Sequence, residues 1–187
     1  MSLVFLRSFF RRPLVVASVI PSFPALVGRV ARRFDLSAPR RIIELGPGEG
    51  VHTRELLRRL PAGSQLLLIE IDEVLAAHLK ESFADDERVE VIHGEANSLP
   101  EQMQQRGWEH CDYVLSGIPF SILPPAKKTP LIQSIYDALK PEPHAAFVIY
   151  QVTAELRDHA PMFPRLESEY CLQNFPPMFV ISFFKTP

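Results

Sequence analysis

Short apolar runs alternate along this chain with stretches in which apolar residues recur at helical spacing. The runs are rich in Ile, Val and Leu, as strands buried on both faces are, and they occupy residues 42–45, 65–69, 89–93, 112–115 and 147–149. Helical spacing predicts helices over Thr53–Leu60, Glu73–Phe83 and Thr129–Leu139. The last apolar run, Met178–Lys185, is predicted as a final antiparallel strand. Strands that alternate with helices predict a doubly wound α/β domain.

A glycine-rich turn follows the first of these strands directly, in the sequence R-I-I-E-L-G-P-G-E-G of residues 41–50. Gly46, Gly48 and Gly50 allow positive φ angles and a close approach of the backbone to a ligand. Taken alone, such a turn is also typical of any tight strand-to-helix connection. The G-x-G-x-G spacing and the negative charge of Glu49 fit the pyrophosphate of a dinucleotide poorly, so a ligand without phosphates is favoured.

An acidic side chain ends the second strand, where Glu70 opens the sequence Glu-Ile-Asp. In a βαβ unit, an acidic residue at this place accepts hydrogen bonds from ribose hydroxyls. S-adenosylmethionine carries adenosine, a sulfonium and an amino acid but no phosphate, and Glu44 and Glu49 favour its cation by Coulomb attraction. S-adenosylmethionine is therefore one ligand that suits the pattern.

The next two strands also end in recognisable sequences, Gly94-Glu95-Ala96 after the third strand and Ser116-Gly117-Ile118-Pro119-Phe120 after the fourth. In this order the four strand ends resemble those of the class I S-adenosylmethionine-dependent methyltransferases, over roughly residues 38–155. The resemblance implies a Rossmann-like, mostly parallel seven-stranded sheet with helices on both faces. It also implies the cofactor contacts: Glu44 near the methionine end, Gly46, Gly48 and Gly50 along the cofactor, Glu70 on the ribose, Ile71 on adenine, Glu95 and Ala96 at the adenine edge, and Ser116.

Charge is unevenly distributed along the chain. Residues 1–41 hold eight arginines and one aspartate, a net of +7, whereas the other residues hold 12 basic and 21 acidic side chains, a net of −9. On a helical wheel, residues 3–12 place Phe and Leu on one arc and Arg7, Arg11 and Arg12 on the other. This predicts an interfacial helix that docks on an anionic membrane surface. Two alternatives stay open: a helix packed on its own domain, and RNA binding through the same charges.

Length and composition indicate one domain over residues 1–187, with a basic amphipathic helical segment at 1–36 and a cofactor-binding catalytic core at 37–187. No apolar run reaches the roughly 18–20 residues that a spanning helix needs. Cys111 and Cys171 lie far apart without a metal-ligand pattern, so no metal is expected and reduced cytosolic thiols are the default. We therefore expect a cytoplasmic protein bound peripherally to the inner face of the membrane.

Several segments resemble the bacterial phosphatidylethanolamine N-methyltransferases, which are related to the rRNA adenine dimethylases. They are F-L-R-S-F-F-R-R-P at residues 5–13, I-P-S-F-P-A-L at 20–26, V-A-R-R-F at 30–34, L-I-E-I-D at 68–72, S-G-I-P-F followed by Leu-Pro at 116–124, and N-F-P-P-M-F-V at 174–180. The family often shows two serines where residues 20–23 hold one. The resemblance implies a membrane lipid substrate: methyl groups added to the amine of phosphatidylethanolamine and its methylated forms, towards phosphatidylcholine.

The fourth strand end discriminates between acceptors. Adenine methylases, including the rRNA adenine dimethylases, have N-x-P-[YF] there, and the Asn carboxamide binds the base amine. Gly117 occupies the Asn position in this chain, and the lost hydrogen bond is worth about 1–3 kcal/mol in a desolvated pocket. The chain also ends before a helical RNA-binding domain could follow, so nucleic acid is not the expected substrate.

A lipid amine has a pKa of ~10 and must lose a proton before it attacks a methyl group. Ser116, the Ile118 backbone and Tyr150, placed after the fifth strand, are the predicted catalytic contacts of the amine, and Glu155, His159 or water could accept the proton. Two other functions stay open. One is methylation of RNA, a protein or a small molecule, with an ornithine lipid as a further acceptor, and the other is a cofactor-binding fold without catalysis.

Overall fold

The computed structural model describes residues 23–120, 123–153 and 161–187. The predicted interfacial helix at residues 3–12 lies outside the described residues, as do Glu155 and His159. Within the described ranges, no helix is long and apolar enough to cross a membrane.

The described part of the chain forms one seven-stranded sheet with the strand order β3-β2-β1-β4-β5-β7-β6. Its strands are β1 (Arg41–Leu45), β2 (Gln65–Glu70), β3 (Val89–His93), β4 (Tyr113–Ser116), β5 (Ala146–Gln151), β6 (Arg165–Cys171) and β7 (Met178–Phe184). Strands β1 to β5 pair in parallel, and β7 pairs antiparallel with both β5 and β6. The predicted Rossmann-like, mostly parallel sheet with a final antiparallel strand is confirmed.

Helices cover both faces of the sheet. They are α1 (Pro24–Ala31), α2 (Val51–Leu57), α3 (Glu73–Ser82), α4 (Leu99–Gln105) and α5 (Pro125–Ala138). The predicted helix at Thr129–Leu139 begins earlier than expected because proline is tolerated in a first helical turn, and Pro125 starts it. Pro130 lies inside the helix, which also includes the four residues before Thr129. Helix α4 was not predicted.

Two apolar cores lie on opposite faces of the sheet. One face packs Ile43, Leu45 and their neighbours under α4 and α5, and the other packs Ile42 and its neighbours under α1, α2 and α3. Because successive side chains of a strand point to opposite faces, each central strand supplies both cores. Because β1 to β5 run in parallel, their carboxyl ends meet at one edge of the sheet.

Helix α1 packs against the second of these cores, although the sequence grouped its residues with the N-terminal segment. Leu26 and Val30 are fully buried. Beyond the helix, the Phe34 ring lies 4.9 Å from the Tyr113 ring, and the Asp35 N–H donates to the Tyr113 hydroxyl at 2.9 Å. Tyr113 begins β4, so α1 runs from the carboxyl edge of the sheet, at Phe23, towards the opposite edge.

Candidate active site

The turn between β1 and α2 has the backbone that its glycines predict. Gly46, Gly48 and Gly50 have φ angles of 66°, 60° and 73°, a region that side chains other than glycine rarely adopt. A Cβ on Gly50 would lie 2.9 Å from Leu79 Cδ2, so packing of the turn on α3 also requires glycine there. Contact of these three residues with the cofactor stays a prediction.

Glu70, at the end of β2, is hydrogen-bonded to this turn. Its carboxylate is 4% exposed and accepts the Gly48 N–H at Oε2 and the Asp72 N–H at Oε1, both at 3.0 Å. Burial raises the pKa of Glu70, and these backbone hydrogen bonds oppose that effect. Since each carboxylate oxygen has a second acceptor site, the group can still receive ribose hydroxyls. Its arrangement fits the adenosine of S-adenosylmethionine.

Glu44 is a second buried carboxyl group beside the turn, and it is 1% exposed. The Thr53 hydroxyl donates to its Oε2 at 2.7 Å. Burial raises the pKa of Glu44 to about 7, the Thr53 hydrogen bond opposes this, and the nearby Glu70 charge adds to it. A cation beside Glu44 would favour its ionised form. Sequence reasoning missed Thr53, whose only signal is its place in the first turn of the helix after the glycines.

The ends of β2 and β3 present the residues predicted for adenine. Ile71 is an exposed apolar side chain, and Ala96 begins a short 3₁₀ helix, Ala96–Ser98. The exposed Glu95 carboxylate pairs with Lys127 Nζ at 3.0 Å. An exposed pair of this kind contributes little to stability, so Glu95 remains available to a ligand. The predicted adenine contacts are therefore brought to one edge.

At the end of β4, the predicted amine contacts bond to each other. The Ile118 N–H donates to Ser116 Oγ at 3.1 Å, and Ser116 is fully buried. This hydrogen bond fixes the loop that carries Gly117. Phe120 is also buried and packs edge-on to Phe147 at 5.8 Å, as part of the core.

Tyr150 fills the space beside Gly117. It lies within β5, one residue before the strand ends, so its predicted place after the strand is wrong by a short distance. A Cβ added to Gly117 would stand 2.6 Å from the Gly46 carbonyl oxygen and 2.7 Å from the Tyr150 hydroxyl. The sheet order produces this contact, since β5 is the neighbour of β4.

The environment of Tyr150 keeps its hydroxyl protonated. Burial raises the pKa of the phenol, and the nearby carboxylates of Glu44 and Glu70 raise it further. Its ring packs against His52 with 4.4 Å between centroids, and burial lowers the pKa of His52 to about 3, which leaves a neutral imidazole. The edge thus combines two buried carboxyl groups with a neutral hydroxyl.

No group of three or more His, Cys, Asp or Glu side chains among the described residues could hold a metal ion. Cys111 and Cys171 are both buried free thiols.

Comparisons with known proteins identify the family of the chain. Residues 24–157 match the family model described as ribosomal RNA adenine dimethylase. An ornithine lipid N-methyltransferase of Singulisphaera acidiphila is 31% identical over 138 residues, which cover 74% of this chain and 72% of that protein. A ribosomal RNA small subunit methyltransferase A of Methylococcus capsulatus is 33% identical over 134 residues, covering 71% of this chain but only 44% of that protein.

Solved structures share the fold. An O-methyltransferase from Bacillus cereus in complex with SAH superposes with a TM-score of 0.69 at 14% identity, covering 98% of this chain and 91% of that one. At this identity the likeness shows the fold alone. The shared fold and the family match together confirm S-adenosylmethionine as the cofactor. The chain belongs to the ribosomal RNA adenine dimethylase family and is an S-adenosylmethionine-dependent methyltransferase.

Proposed function

We propose that this chain transfers methyl groups to the amine of a membrane lipid headgroup, with phosphatidylethanolamine and its methylated forms as the acceptors. The observation that carries the proposal is the closed space at Gly117. Adenine methylases, which this chain resembles, have an Asn at this position, and its carboxamide binds the base amine. Here even a Cβ would contact the Gly46 carbonyl and the Tyr150 hydroxyl.

The closed space disfavours adenine for two reasons. The Gly46 oxygen belongs to the backbone of the cofactor-binding turn, so it cannot rotate away as a side chain would. An adenine amine would also lack its carboxamide partner, a loss of about 1–3 kcal/mol in a desolvated site. Several relatives are ribosomal RNA methyltransferases, so RNA remains the acceptor against which the proposal must be tested.

The site has the groups that a lipid amine requires. The Tyr150 hydroxyl is protonated and presents oxygen lone pairs that an amine N–H can use. In their ionised forms, the buried carboxyl groups of Glu44 and Glu70 create a negative potential that attracts a cationic headgroup. S-adenosylmethionine supplies a sulfonium methyl group that a neutral amine attacks. Residues of this chain then contribute chiefly by holding the amine at near-attack distance, and Glu155, His159 or water accepts the proton.

The acceptor class has independent support from the relative in Singulisphaera acidiphila, which is named for an ornithine lipid. An ornithine lipid is therefore the second candidate acceptor. The basic segment at residues 3–12 gives a route to the lipid, by docking on anionic membranes at the cytoplasmic face. In this proposal the enzyme is a peripheral membrane protein.

Methyl transfer with three acceptors tests the proposal. Purified protein and methyl-labelled S-adenosylmethionine are mixed with vesicles containing phosphatidylethanolamine, vesicles containing ornithine lipid, or deproteinised ribosomal RNA. We expect label in phosphatidylethanolamine. Label in ornithine lipid alone would transfer the proposal to the second acceptor, and label in RNA alone would refute it.

A variant at Tyr150 tests the proposed amine contact. Tyr150→Phe keeps the ring against His52 but removes the hydroxyl. We expect a lower kcat for the lipid with nearly unchanged affinity for S-adenosylhomocysteine, because the hydroxyl contacts the acceptor. Tyr136→Phe is the matched control, since that ring packs on Phe163, away from the turn. Equal kcat values in the two variants would remove Tyr150 from the site.

A further inference from the structure

Among the described residues, the exposed large apolar side chains all lie at one edge of the sheet, the edge where the parallel strands have their carboxyl ends. They are Phe23, Val51, Ile71, Val152, Tyr170, Leu172 and Phe175. Val51, Ile71 and Val152 follow the turn after β1, the end of β2 and the end of β5. The others surround the β6–β7 connection. This is the edge of the sheet at which the active site lies. The residues around the β6–β7 connection are neighbours in the fold, and exposed apolar side chains that lie together mark an interaction surface.

The most exposed members belong to the β6–β7 connection, residues 172–177, which we call the hairpin tip. Phe175 is 80% exposed and Leu172 is 70% exposed. Cys171 pairs with Met178, and the next residue of β7 pairs with Gln151, the last residue of β5. The hairpin tip therefore projects beyond the carboxyl end of β5, the strand that carries Tyr150.

Polar side chains hold the hairpin tip against α1. Asn174 is 1% exposed, accepts the Phe23 N–H at 2.9 Å and donates to the Pro176 carbonyl at 3.0 Å. Arg29 Nη2 donates to Gln173 Oε1 at 2.9 Å. With these groups bonded inward, the apolar side chains of the tip point outward from a fixed base, so little conformational entropy is lost when they are buried.

The opposite edge of the sheet has a different chemistry. Asp112, at the start of β4, accepts hydrogen bonds from Lys140 Nζ at 2.8 Å and from the Arg41 N–H at 2.8 Å. Arg40 and His144 also lie within ion-pair distance of this carboxylate. The opposite edge thus carries a paired charge cluster around Asp112, while the exposed large apolar side chains of the described residues lie at the edge that carries the active site.

We propose that the hairpin tip and Phe23 form a lipid-contacting rim that seats the active site on the bilayer surface. The inference rests on the proposed function, because it concerns how the enzyme reaches a lipid headgroup. A lipid surface is favoured over a protein partner by the chain that enters this edge at Phe23. Those preceding 22 residues carry Arg7, Arg11 and Arg12 and no acidic residue, which is the charge that an anionic lipid surface attracts.

The geometry gives the rim a specific purpose. Phe175 and Leu172 immersed at the headgroup boundary would bring the carboxyl ends of β4 and β5 to the level of the amines. The acceptor then reaches Tyr150 without leaving the membrane. Immersion of each side chain would strengthen binding by roughly tenfold, from the free energy of burying a Phe or Leu side chain.

A tryptophan reporter tests the contact directly. Trp108 is the one tryptophan of the chain and is 8% exposed, so the emission added by Phe175→Trp can be read as a difference from wild type. With vesicles of phosphatidylethanolamine and phosphatidylglycerol, we expect that emission to shift to the blue and to be protected from iodide quenching. Vesicle-bound protein whose added tryptophan remains quenched by iodide would overturn the proposal.

Truncation of the tip tests its contribution to activity. The double variant Leu172→Ala/Phe175→Ala should sediment with these vesicles at least tenfold less than wild type. It should keep wild-type activity on a short-chain, monomeric phosphatidylethanolamine, while Phe175→Leu should behave as wild type in both assays. Unchanged sedimentation of the double variant would contradict the rim.

Two further outcomes separate the alternatives. A concentration-dependent dimer of the wild type that the double variant loses would make the tip a contact between copies of the chain and would overturn the proposal. An added tryptophan that is immersed in Phe175→Trp, together with wild-type protein that methylates neither vesicle-bound nor monomeric lipid, would support the rim and contradict the proposed function. Both substituted side chains are largely exposed, and matching circular dichroism would verify that the variants fold.

Discussion

Gly117→Ala is the smallest change that tests whether the acceptor site is closed to a carboxamide. The new Cβ would lie 2.6 Å from the Gly46 carbonyl oxygen and 2.7 Å from the Tyr150 hydroxyl, whereas ordinary contacts begin at 3.4 Å. Relief requires a backbone shift of roughly 0.8 Å, and overpacking of this kind costs about 1–3 kcal/mol. Because the obstructing oxygen belongs to the cofactor-binding turn, we expect weaker binding of S-adenosylhomocysteine as well as lower stability.

The measurements are urea unfolding and titration calorimetry with S-adenosylhomocysteine. Gly28→Ala is the matched control, since its nearest neighbour is 3.8 Å away on a flexible arginine, and in a helix interior it should stabilise by up to about 1 kcal/mol. Adding Tyr150→Phe to Gly117→Ala removes one of the two close contacts, so the two changes should be non-additive. Wild-type stability and affinity in Gly117→Ala would show that the loop accepts a side chain, and the steric argument against adenine would fail.

Three further predictions follow from the site and the N-terminal segment. Glu70→Ala should weaken S-adenosylhomocysteine by about 1.5–3 kcal/mol, the range for hydrogen bonds to a charged group; unchanged affinity by calorimetry would exclude Glu70 from the cofactor site. Because burial raises the pKa of Glu44 from 4.5 to about 7, the unfolded chain loses this proton first, and the cofactor-free protein should lose about 3 kcal/mol of stability as pH rises through that window. Glu44→Gln should remove that loss, and an unchanged slope of unfolding free energy against pH would contradict the shift. Deletion of residues 1–12, or Arg7, Arg11 and Arg12 changed together to Glu, should reduce sedimentation with anionic vesicles, and wild-type binding should weaken as salt rises; a truncated protein that binds like wild type would refute the interfacial helix.

The sheet and the glycine turn could be predicted because they depend on local patterns. Strands buried on both faces read as continuous apolar runs, and positive φ angles at three positions of one turn require glycine. Strand β6 was not located because Arg165–Cys171 is the edge strand of the sheet and its sequence is largely polar.

The acceptor side of the site depends on tertiary contacts that no local pattern encodes. Tyr150 meets Gly117 because the sheet order places β5 beside β4. Asn174 bonds the backbone of Phe23 across 151 positions of sequence. Thr53 completes the environment of Glu44 only once α2 packs over β1. Sequence patterns could nominate Tyr150, but its relation to Gly117 required the fold.

Lipid mass spectrometry on a bacterial host that lacks phosphatidylcholine tests the central claim most directly. Cells expressing the chain are compared with cells expressing Glu70→Ala, and their lipids and ribosomal RNA are both analysed. The proposed function predicts mono-, di- and trimethylated phosphatidylethanolamine in the first cells, far less in the second, and no new methyladenine in either. Unaltered lipids together with newly methylated ribosomal adenine would contradict it.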